Sequence, residues 1–142
     1  MNVETILRTK GRDVATIRAD ATIADCVREL KSRDIGALVV SSNGRHVDGI
    51  ISERDVVHAL ADHGGALLTH TIDTLMIRKV QTCTPEDTVG DLMERMTERR
   101  IRHLPVVKDG VLCGLVSIGD LVKNRIEEVV SEADSLRTFI AS

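Results

Sequence analysis

The sequence of this 142-residue chain contains one pattern twice. Residues 14–44 align with residues 80–110 at a constant offset of 66, and the offset becomes 65 after one residue drops out of the second copy. Identical pairs include Val14/Val80, Thr22/Thr88, Asp25/Asp91, Ile35/Ile101, Gly49/Gly114, Ser52/Ser117 and Asp55/Asp120. A duplicated unit folds into two similar halves, and the surface between such halves is a natural position for paired clefts.

The length and composition fit one compact domain, or two small ones that share a core. Apolar residues make up 42% of the chain, which is enough for such a core, and the formal net charge is −3. Binding to nucleic acid needs many contacts from Lys and Arg to phosphates, and single-strand binders also stack bases on aromatic rings. Since the chain is acidic and has one Phe and no Trp or Tyr, we predict no nucleic-acid partner.

The sequence also argues against a secreted or membrane-bound protein. The first residues contain no apolar segment of signal-peptide length, and the sequence has no run of about 18 apolar residues. The three cysteines, Cys26, Cys83 and Cys113, are odd in number and lack the spacing of metal ligands. We therefore expect a cytoplasmic protein with reduced thiols, no metal site and no membrane partner.

The first copy predicts the order strand, helix, strand, strand, helix. Thr22 and Asp25 form the capping box of a helix whose apolar stripe contains Ile23, Val27 and Leu30. The run ALVV has the length and β-branching of a buried strand. The predicted elements are a strand at 14–17, a helix after Thr22, strands at 37–40 and 47–51, and a helix at about 52–63.

The second copy repeats this order. Its predicted elements are a strand at 80–83, a helix at 88–100, a hairpin around Lys108-Asp109-Gly110 and a helix that starts near Ser117. Pro105 has no N–H to donate, which predicts that its strand lies at an edge. The last helix keeps an apolar face beyond the repeat, from Val122 to Leu136, and this face either packs back on the core or contacts a second subunit. We assign residues 8–65 to the first copy, 66–79 to a linker with a short helical turn, 80–126 to the second copy and 127–142 to a C-terminal helical extension.

Four Ser/Thr-x-x-Asp boxes stand before an apolar run, and spacing alone cannot separate a helix cap from a ligand site. They are Thr22/Asp25, Ser52/Asp55, Thr88/Asp91 and Ser117/Asp120. Two of them, Ser52/Asp55 and Ser117/Asp120, follow a buried strand directly. The free N–H groups and positive dipole end of a helix favour a phosphate, and an Asp one turn later can accept the hydroxyls of a ribose. These two boxes therefore predict a ribose-phosphate site.

The whole pattern resembles the cystathionine β-synthase (CBS) domain, present as a tandem pair (a Bateman module). The resemblance rests on the TPEDTV start, the RIRHLPVVKDG hairpin and the two G-h-h-S-x-x-D turns, where h is apolar, and covers roughly residues 8–126. It implies an α+β, sandwich-like fold in which two β-α-β-β-α repeats pack with pseudo-two-fold symmetry, followed here by an extended C-terminal helix. It also implies two clefts between the repeats that bind adenosine compounds.

The resemblance assigns residues to each cleft. Those expected around Asp120 are Ser117, Ile118 and Gly119 at the phosphate end, Arg102 and His103 near the phosphates, and Thr16, Ala21, Ile35 and Gly36 at the adenine. Those expected around Asp55 are Ser52, Arg54, Thr82, Ile101 and Arg102, with Gly36 and Ala37 nearby. The second copy has Arg102-His103 where the first has Gly36-Ala37, so the clefts differ in charge and one of them can be empty.

We predict a non-catalytic, regulatory module that binds AMP, ADP, ATP or NAD(H) and has no obligatory cofactor. The module is expected to form a homodimer and to act on its own assembly or on an unidentified protein partner. The alternative is an interaction module with vestigial clefts that mediates oligomerisation. An enzyme is disfavoured because Ser52 and Ser117 lack an oriented base, although His103 could approach Ser117.

Overall fold

The computed structural model describes residues 1–141 and confirms an α+β fold made of two similar halves and a long final helix. The helices are α1 (Val3–Lys10), α2 (Ile23–Arg33), α3 (Glu53–His63), α4 (Val89–Arg99) and α5 (Ile118–Ala141). The strands are β1 (Thr16–Ile17), β2 (Ala37–Val40), β3 (Gly49–Ser52), β4 (His103–Lys108) and β5 (Val111–Ser117). Two 3₁₀ helices, Gly64–Thr69 and Ile72–Thr74, connect the halves.

Side-chain caps begin the helices where the sequence predicts them. Thr22 and Ser52 each accept a hydrogen bond from the N–H of the Asp three residues later, and the side chain of that Asp accepts one from the cap N–H. Both halves of the capping box are thus present at α2 and α3. Thr88 accepts the bond from Asp91, but the reciprocal bond is absent, so the full box predicted at α4 is wrong.

The first half contains a three-stranded sheet and the second a two-stranded one. β1 pairs in parallel with β2, and β2 pairs antiparallel with β3, with Leu38 opposite Ile51. β4 and β5 form the predicted antiparallel hairpin, with His103 opposite Ser117. This register places the start of α3 and the start of α5 at equivalent ends of the two sheets.

The strand predicted at 80–83 is wrong, and Pro105 explains the difference. In the first half, the N–H of Val39 donates to the carbonyl oxygen of Ala15, the residue just before β1, at 3.3 Å. The residue equivalent to Val39 is Pro105, which has no N–H to donate. Two bonds remain, from Val107 N–H to the Cys83 carbonyl oxygen at 2.8 Å and from Cys83 N–H to the Pro105 carbonyl oxygen at 3.0 Å, so a single bridge replaces the strand.

Each half is completed by a segment that precedes the other half in the chain. Helix α1 begins before the first copy but packs on the second, where Val3 N–H donates to the Asp87 carbonyl oxygen at 2.9 Å. The linker lies before the second copy but packs on the first, where Ile72 N–H donates to the Ala21 carbonyl oxygen at 2.8 Å. Since Ala21 and Asp87 are equivalent positions, the pseudo-two-fold symmetry relates these two contacts.

Two hydrophobic clusters form the core, one in each half. The first contains Ile23, Cys26, Leu30, Leu38, Val40, Ile51, Val56, Ala59, Leu67 and Ile72. The second contains Val3, Ile6, Leu7, Cys83, Val89, Leu92, Met96, Leu104, Val106, Val116 and Leu121. Val27, predicted in the buried stripe of α2, is exposed, and Cys26 is buried instead. The clusters thus include residues from the predicted linker and from α1, which the sequence does not predict as a helix.

Helix α5 continues far beyond the second repeat. It contacts α4 and β5, and Leu121 is fully buried. Farther along, the apolar side chains are exposed, with Ile126 at 58% and Leu136 at 59%. The expectation that this face packs back on the core is therefore wrong for this part of the helix. The last residue of the predicted extension, Ser142, lies outside the described residues.

Candidate functional site

An open cleft lies where the two halves meet, with a volume of about 360 Å³. This is within the usual size range of small-molecule sites. The residues that line it are Gly36, Ile50, Ser52, Glu53, Arg54, Asp55, His58 and Ile77 on one side, and Arg100, Ile101, Arg102 and His103 on the other. We call it the Asp55 cleft. It brings together seven of the residues predicted from the sequence.

Asp55 lines the cleft and uses one carboxylate oxygen as a helix cap, which leaves the other oxygen without a partner in residues 1–141. Its Oδ2 accepts hydrogen bonds from the N–H and the hydroxyl of Ser52, both at 2.9 Å. In residues 1–141, no hydrogen bond reaches Oδ1 and no cation pairs with the carboxylate. Capping and ligand binding are therefore compatible, because the two functions use different oxygens.

The start of α3 offers fewer free N–H groups than the sequence predicts. The Glu53 N–H donates to the Gly36 carbonyl oxygen at 3.0 Å, and the Asp55 N–H donates to the Ser52 hydroxyl at 3.3 Å. The N–H of Arg54, the residue between Glu53 and Asp55, has no hydrogen-bond partner in residues 1–141. An anion at this helix end would therefore depend mainly on side-chain cations.

Three arginines supply such cations. Arg54, Arg100 and Arg102 line the Asp55 cleft, and all three also line a smaller adjoining cleft of about 300 Å³. Within residues 1–141, none of them forms an ion pair or a side-chain hydrogen bond. Arginine guanidinium groups bind phosphate through paired hydrogen bonds. The two adjoining clefts thus form a positively charged groove that continues away from Asp55.

His103 lines the Asp55 cleft and lies opposite Ser117 in the β4–β5 hairpin. A Cβ atom added to Gly36 would lie 3.2 Å from Nε2 of His103, so the backbone of one half directly approaches the ring of the other. Burial lowers the pKa of His103, and nearby positive charges, with Lys10 the strongest, lower it further, while acidic neighbours partly oppose them. The imidazole is therefore neutral at pH 7 and can exchange hydrogen bonds with a ligand, but it does not supply a positive charge.

Asp120, the counterpart of Asp55, is paired with Lys10. Nζ of Lys10 lies 2.5 Å from Oδ2 of Asp120 and 2.8 Å from the Leu115 carbonyl oxygen. The Ser117 N–H donates to the same Oδ2 at 2.9 Å. Burial alone would raise the pKa of Asp120, but the hydrogen bonds from Lys10 and Ser117, together with the charge of Lys10, lower it. Lys10 is not among the residues predicted around this carboxylate, and Asp120 lines neither of the clefts described above.

The other predicted residues are distributed around these positions. Ile35 lines a separate groove between α2 and α3, Ala37 is buried in β2, Ile118 lines the smaller cleft, and Gly119 is exposed in the first turn of α5. Thr16 lies in β1, the Ala21 carbonyl oxygen bonds the linker, and the Thr82 carbonyl oxygen accepts a bond from Arg95 at 2.9 Å. Contacts of all these residues with a ligand stay predictions.

Five lining residues are missing from the sequence-based site: Ile50, Glu53, His58, Ile77 and Arg100. Three of them, Ile50, Glu53 and His58, lie within three residues of Ser52 or Asp55 in the sequence, and this proximity could have predicted them. Ile77 comes from the linker, whose backbone pairs with Ile50 in both directions. Arg100 takes a left-handed conformation (φ 54°) after α4 and lines the cleft.

Two cysteine thiols and the Ser117 hydroxyl are not activated as nucleophiles by neighbours in residues 1–141. Burial raises the pKa of Cys26 to about 11 and of Cys83 to about 12, so both thiols are protonated at neutral pH. In residues 1–141, no hydrogen bond joins the His103 ring to the Ser117 hydroxyl, and no cluster of three or more His, Cys, Asp or Glu side chains could hold a metal ion. The same residues include no helix with the length and apolar character that crossing a bilayer requires.

Comparison with known proteins identifies the duplicated unit. A family model described as the CBS domain matches residues 3–62 and 72–127. The chain belongs to the CBS-domain family. The CBS domain-containing mitochondrial protein CBSX3 of Arabidopsis thaliana is 33% identical over 146 residues, which cover 97% of this chain and 71% of that protein. The CBS domain-containing protein YhcV of Bacillus subtilis is 27% identical over 118 residues, 83% of each chain.

Solved structures show the same CBS-domain pair. A CBS-domain-containing protein of Agrobacterium tumefaciens has a TM-score of 0.85 at 42% identity, covering 88% of this chain and 99% of its own. The CBS domain pair of the protein MJ0100, in complex with 5-methylthioadenosine and S-adenosyl-L-methionine, has a TM-score of 0.77 at 25% identity. That comparison covers 87% of this chain and 98% of the other. The predicted tandem CBS fold is thereby confirmed.

Proposed function

We propose that this CBS-domain pair is a non-catalytic sensor that binds an adenine nucleotide in the Asp55 cleft. The observation that carries the proposal is the unpartnered Oδ1 of Asp55 at the wall of a cleft that both halves build. A carboxylate oxygen in this position can accept hydrogen bonds from the hydroxyls of a ribose. The apolar side chains of Ile50, Ile77 and Ile101 in the same cleft suit the faces of a base.

The arginines favour a ligand that carries phosphate. Arg54, Arg100 and Arg102 have no partners in the described chain, and their charges are reduced only by Glu53 and Asp55 nearby. MJ0100 was solved with 5-methylthioadenosine, which is uncharged, and with S-adenosyl-L-methionine, which carries a sulfonium cation. A positively charged groove disfavours such a cation and stabilises AMP, ADP, ATP or NAD(H).

Binding can regulate only through a difference in affinity between two states of the module. The cleft is formed by both halves, so a ligand in it would favour one relative position of the halves. The signal would pass to an unidentified protein partner or to the module's own assembly. A cytoplasmic location, predicted from the sequence, stays a prediction.

We expect wild-type protein to be stabilised by AMP, ADP, ATP and NAD, and less by adenosine. A ligand at a hundredfold excess over its dissociation constant adds about 2.7 kcal/mol to the free energy of unfolding. Thermal unfolding with each compound measures this effect, and native mass spectrometry of the freshly purified protein detects any ligand that copurifies. Unchanged unfolding with all four phosphate-bearing compounds, with no copurified ligand, would contradict the proposal.

A second function, self-assembly, is favoured by the exposed apolar stripe of α5. Its residues are Val122, Ile126, Val129, Ala133, Leu136 and Ile140. They follow one another at intervals of four and three residues, which is the a/d spacing of a coiled coil. In the heptad, Val122 is at d and Ile126 at a, so the a positions are Ile126, Ala133 and Ile140. Two β-branched residues at a suit a two-stranded coil.

The charges beside the stripe favour a parallel second copy of this chain. In a parallel dimer, Glu132 at g meets Arg137 at the next e of the partner, an attractive pair that occurs twice. In the antiparallel arrangement that aligns all the apolar layers, Glu132 would face Glu132, and Lys123 would face Arg137. We therefore propose a homodimer joined by the C-terminal parts of two α5 helices.

Ile126→Asp is expected to shift the protein from dimer to monomer, because a carboxylate cannot be buried in the apolar seam without a large cost. Size-exclusion chromatography with light scattering, over a range of concentrations, measures the change. Ser135→Asp, which adds the same charge outside the stripe, is the matched control and should stay dimeric. A monomeric wild type, or a dimer that survives Ile126→Asp, would show that α5 does not hold the assembly.

A further inference from the structure

Asp55 and Asp120 occupy equivalent positions but have different surroundings. Both cap their own helix through Oδ2, which accepts the N–H of the preceding Ser at 2.9 Å. In residues 1–141, Asp55 forms no ion pair, whereas Asp120 is held by Lys10 at 2.5 Å and its side chain is 25% exposed. The sequence copies alone do not show this difference, because Lys10 lies outside the duplicated block.

The difference follows from the two exchanged segments. In the first half, the linker becomes extended after its 3₁₀ turn, and Ile77 N–H donates to the Ile50 carbonyl oxygen at 2.9 Å. The equivalent of Ile50 in the second half is Leu115. There α1 stays helical as far as Lys10, and the Lys10 ammonium instead donates to the Leu115 carbonyl oxygen at 2.8 Å. The Lys10 side chain therefore takes the place of that backbone hydrogen bond, and its ammonium lies beside Asp120.

Lys10 disfavours a ribose at Asp120. Its ammonium and the Ser117 N–H both bond Oδ2, the oxygen that caps α5, so the effect of Lys10 on a ligand at Oδ1 comes from its charge: the ammonium cancels the negative charge that would attract a sugar hydroxyl. The lowered pKa of Asp120 agrees with a carboxylate that is held ionised by this contact. Asp55, without such a neighbour, remains open to the cleft.

The second position also lacks the arginines of the first. The residues equivalent to Arg54, Arg100 and Arg102 are Gly119, Asp34 and Gly36. Once Lys10 is removed, the surroundings of Asp120 would therefore suit an uncharged nucleoside better than a nucleotide.

We propose that Lys10 closes the Asp120 position as a built-in cation, so that the chain binds one nucleotide, at Asp55, and holds a second, latent nucleoside site. The inference rests on the proposed function only for the first of these sites. The latent site is defined by the Lys10 contact itself and can be tested separately.

The test is titration calorimetry with adenosine on the pair of variants Asp55→Ala and Asp55→Ala/Lys10→Ala. The first variant should show no binding. The second should bind adenosine at about one per chain, with an affinity at least about tenfold above the detection limit at which the first variant shows no binding, because the freed carboxylate accepts hydroxyl hydrogen bonds. Adding Asp120→Ala to the double variant should abolish that binding. Far-UV circular dichroism checks the fold of each variant, and Lys10→Ala alone, which keeps the Asp55 cap, should bind one more adenosine than wild type.

Arg8→Ala in the Asp55→Ala background is the matched control. Arg8 is a basic residue near the same end of α1 that pairs with Glu4, not with Asp120, and its loss should leave adenosine unbound. If neither Lys10 variant gains an adenosine site, or if wild type already binds two nucleotides and Lys10→Ala reduces this to one, the inference is wrong. Binding of AMP to wild type separately decides the function proposed for the Asp55 cleft.

Discussion

Replacing Leu7 by alanine is expected to lower the free energy of unfolding by about 2–5 kcal/mol, the usual cost of removing most of a buried leucine side chain. Leu7 is 1% exposed in the core of the second half, although it lies in the first ten residues of the chain. A terminal segment of this kind normally tolerates substitution. The large expected effect therefore tests whether α1 completes a core that is distant in sequence.

Urea unfolding of wild type and Leu7→Ala, compared at constant m, measures the loss. Leu68→Ala is the control, since Leu68 is 41% exposed and should change stability by less than about 0.5 kcal/mol. A Leu7→Ala protein as stable as this control would show that α1 does not pack on the second half.

A double variant can confirm the particular contact. A Cβ atom added to Gly114 would lie 2.7 Å from Cδ2 of Leu7, so Gly114→Ala forces the leucine to move within a packed core. Once Leu7 is shortened, that obstacle is gone. The two substitutions together are therefore expected to cost less than the sum of their separate effects, which is the behaviour of residues in direct contact.

The duplicated block predicts the elements that depend on local signals. α2 and α3 begin at caps that the sequence shows, and the hairpin turns at Lys108-Asp109-Gly110 as its residues predict. The absence of a strand at 80–83 could also have been predicted, because Pro105 occupies the position that Val39 has in the first copy. The edge position of Pro105 was predicted, but its effect on the facing segment was not.

Contacts between residues that are distant in the sequence could not be predicted from the repeat. Helix α1 has only eight residues, and its apolar side chains are buried only by contact with the second half, which is distant in the sequence. The Lys10–Asp120 contact joins residues 110 apart, and no pattern within either copy marks it. The difference between the two candidate sites was predicted from Arg102-His103 and Gly36-Ala37, but the contact of Lys10 with Asp120 was not.

Asp55 belongs both to the residues predicted from the sequence and to the lining of the cleft, and replacing it by alanine is expected to weaken nucleotide binding about 10- to 150-fold. The range follows from the loss of hydrogen bonds to a charged group, each worth about 1.5–3 kcal/mol. Calorimetric titration with AMP and ATP measures the change. Asp55→Ala also removes a helix cap, which by itself costs about 0.5–2 kcal/mol of stability.

The chain provides a matched control for that cap. Asp25 forms the same capping box at the start of α2, with Thr22 N–H donating to its Oδ2 at 3.1 Å, but it does not line the cleft. Asp25→Ala should therefore lose a similar amount of stability and bind nucleotide as wild type does. Equal affinities in the two variants would mean that the Asp55 carboxylate serves its helix alone. A loss of affinity confined to Asp55→Ala would show that Asp55 binds the ligand in addition to capping its helix. The spacing of Ser and Asp in the sequence cannot distinguish these two roles.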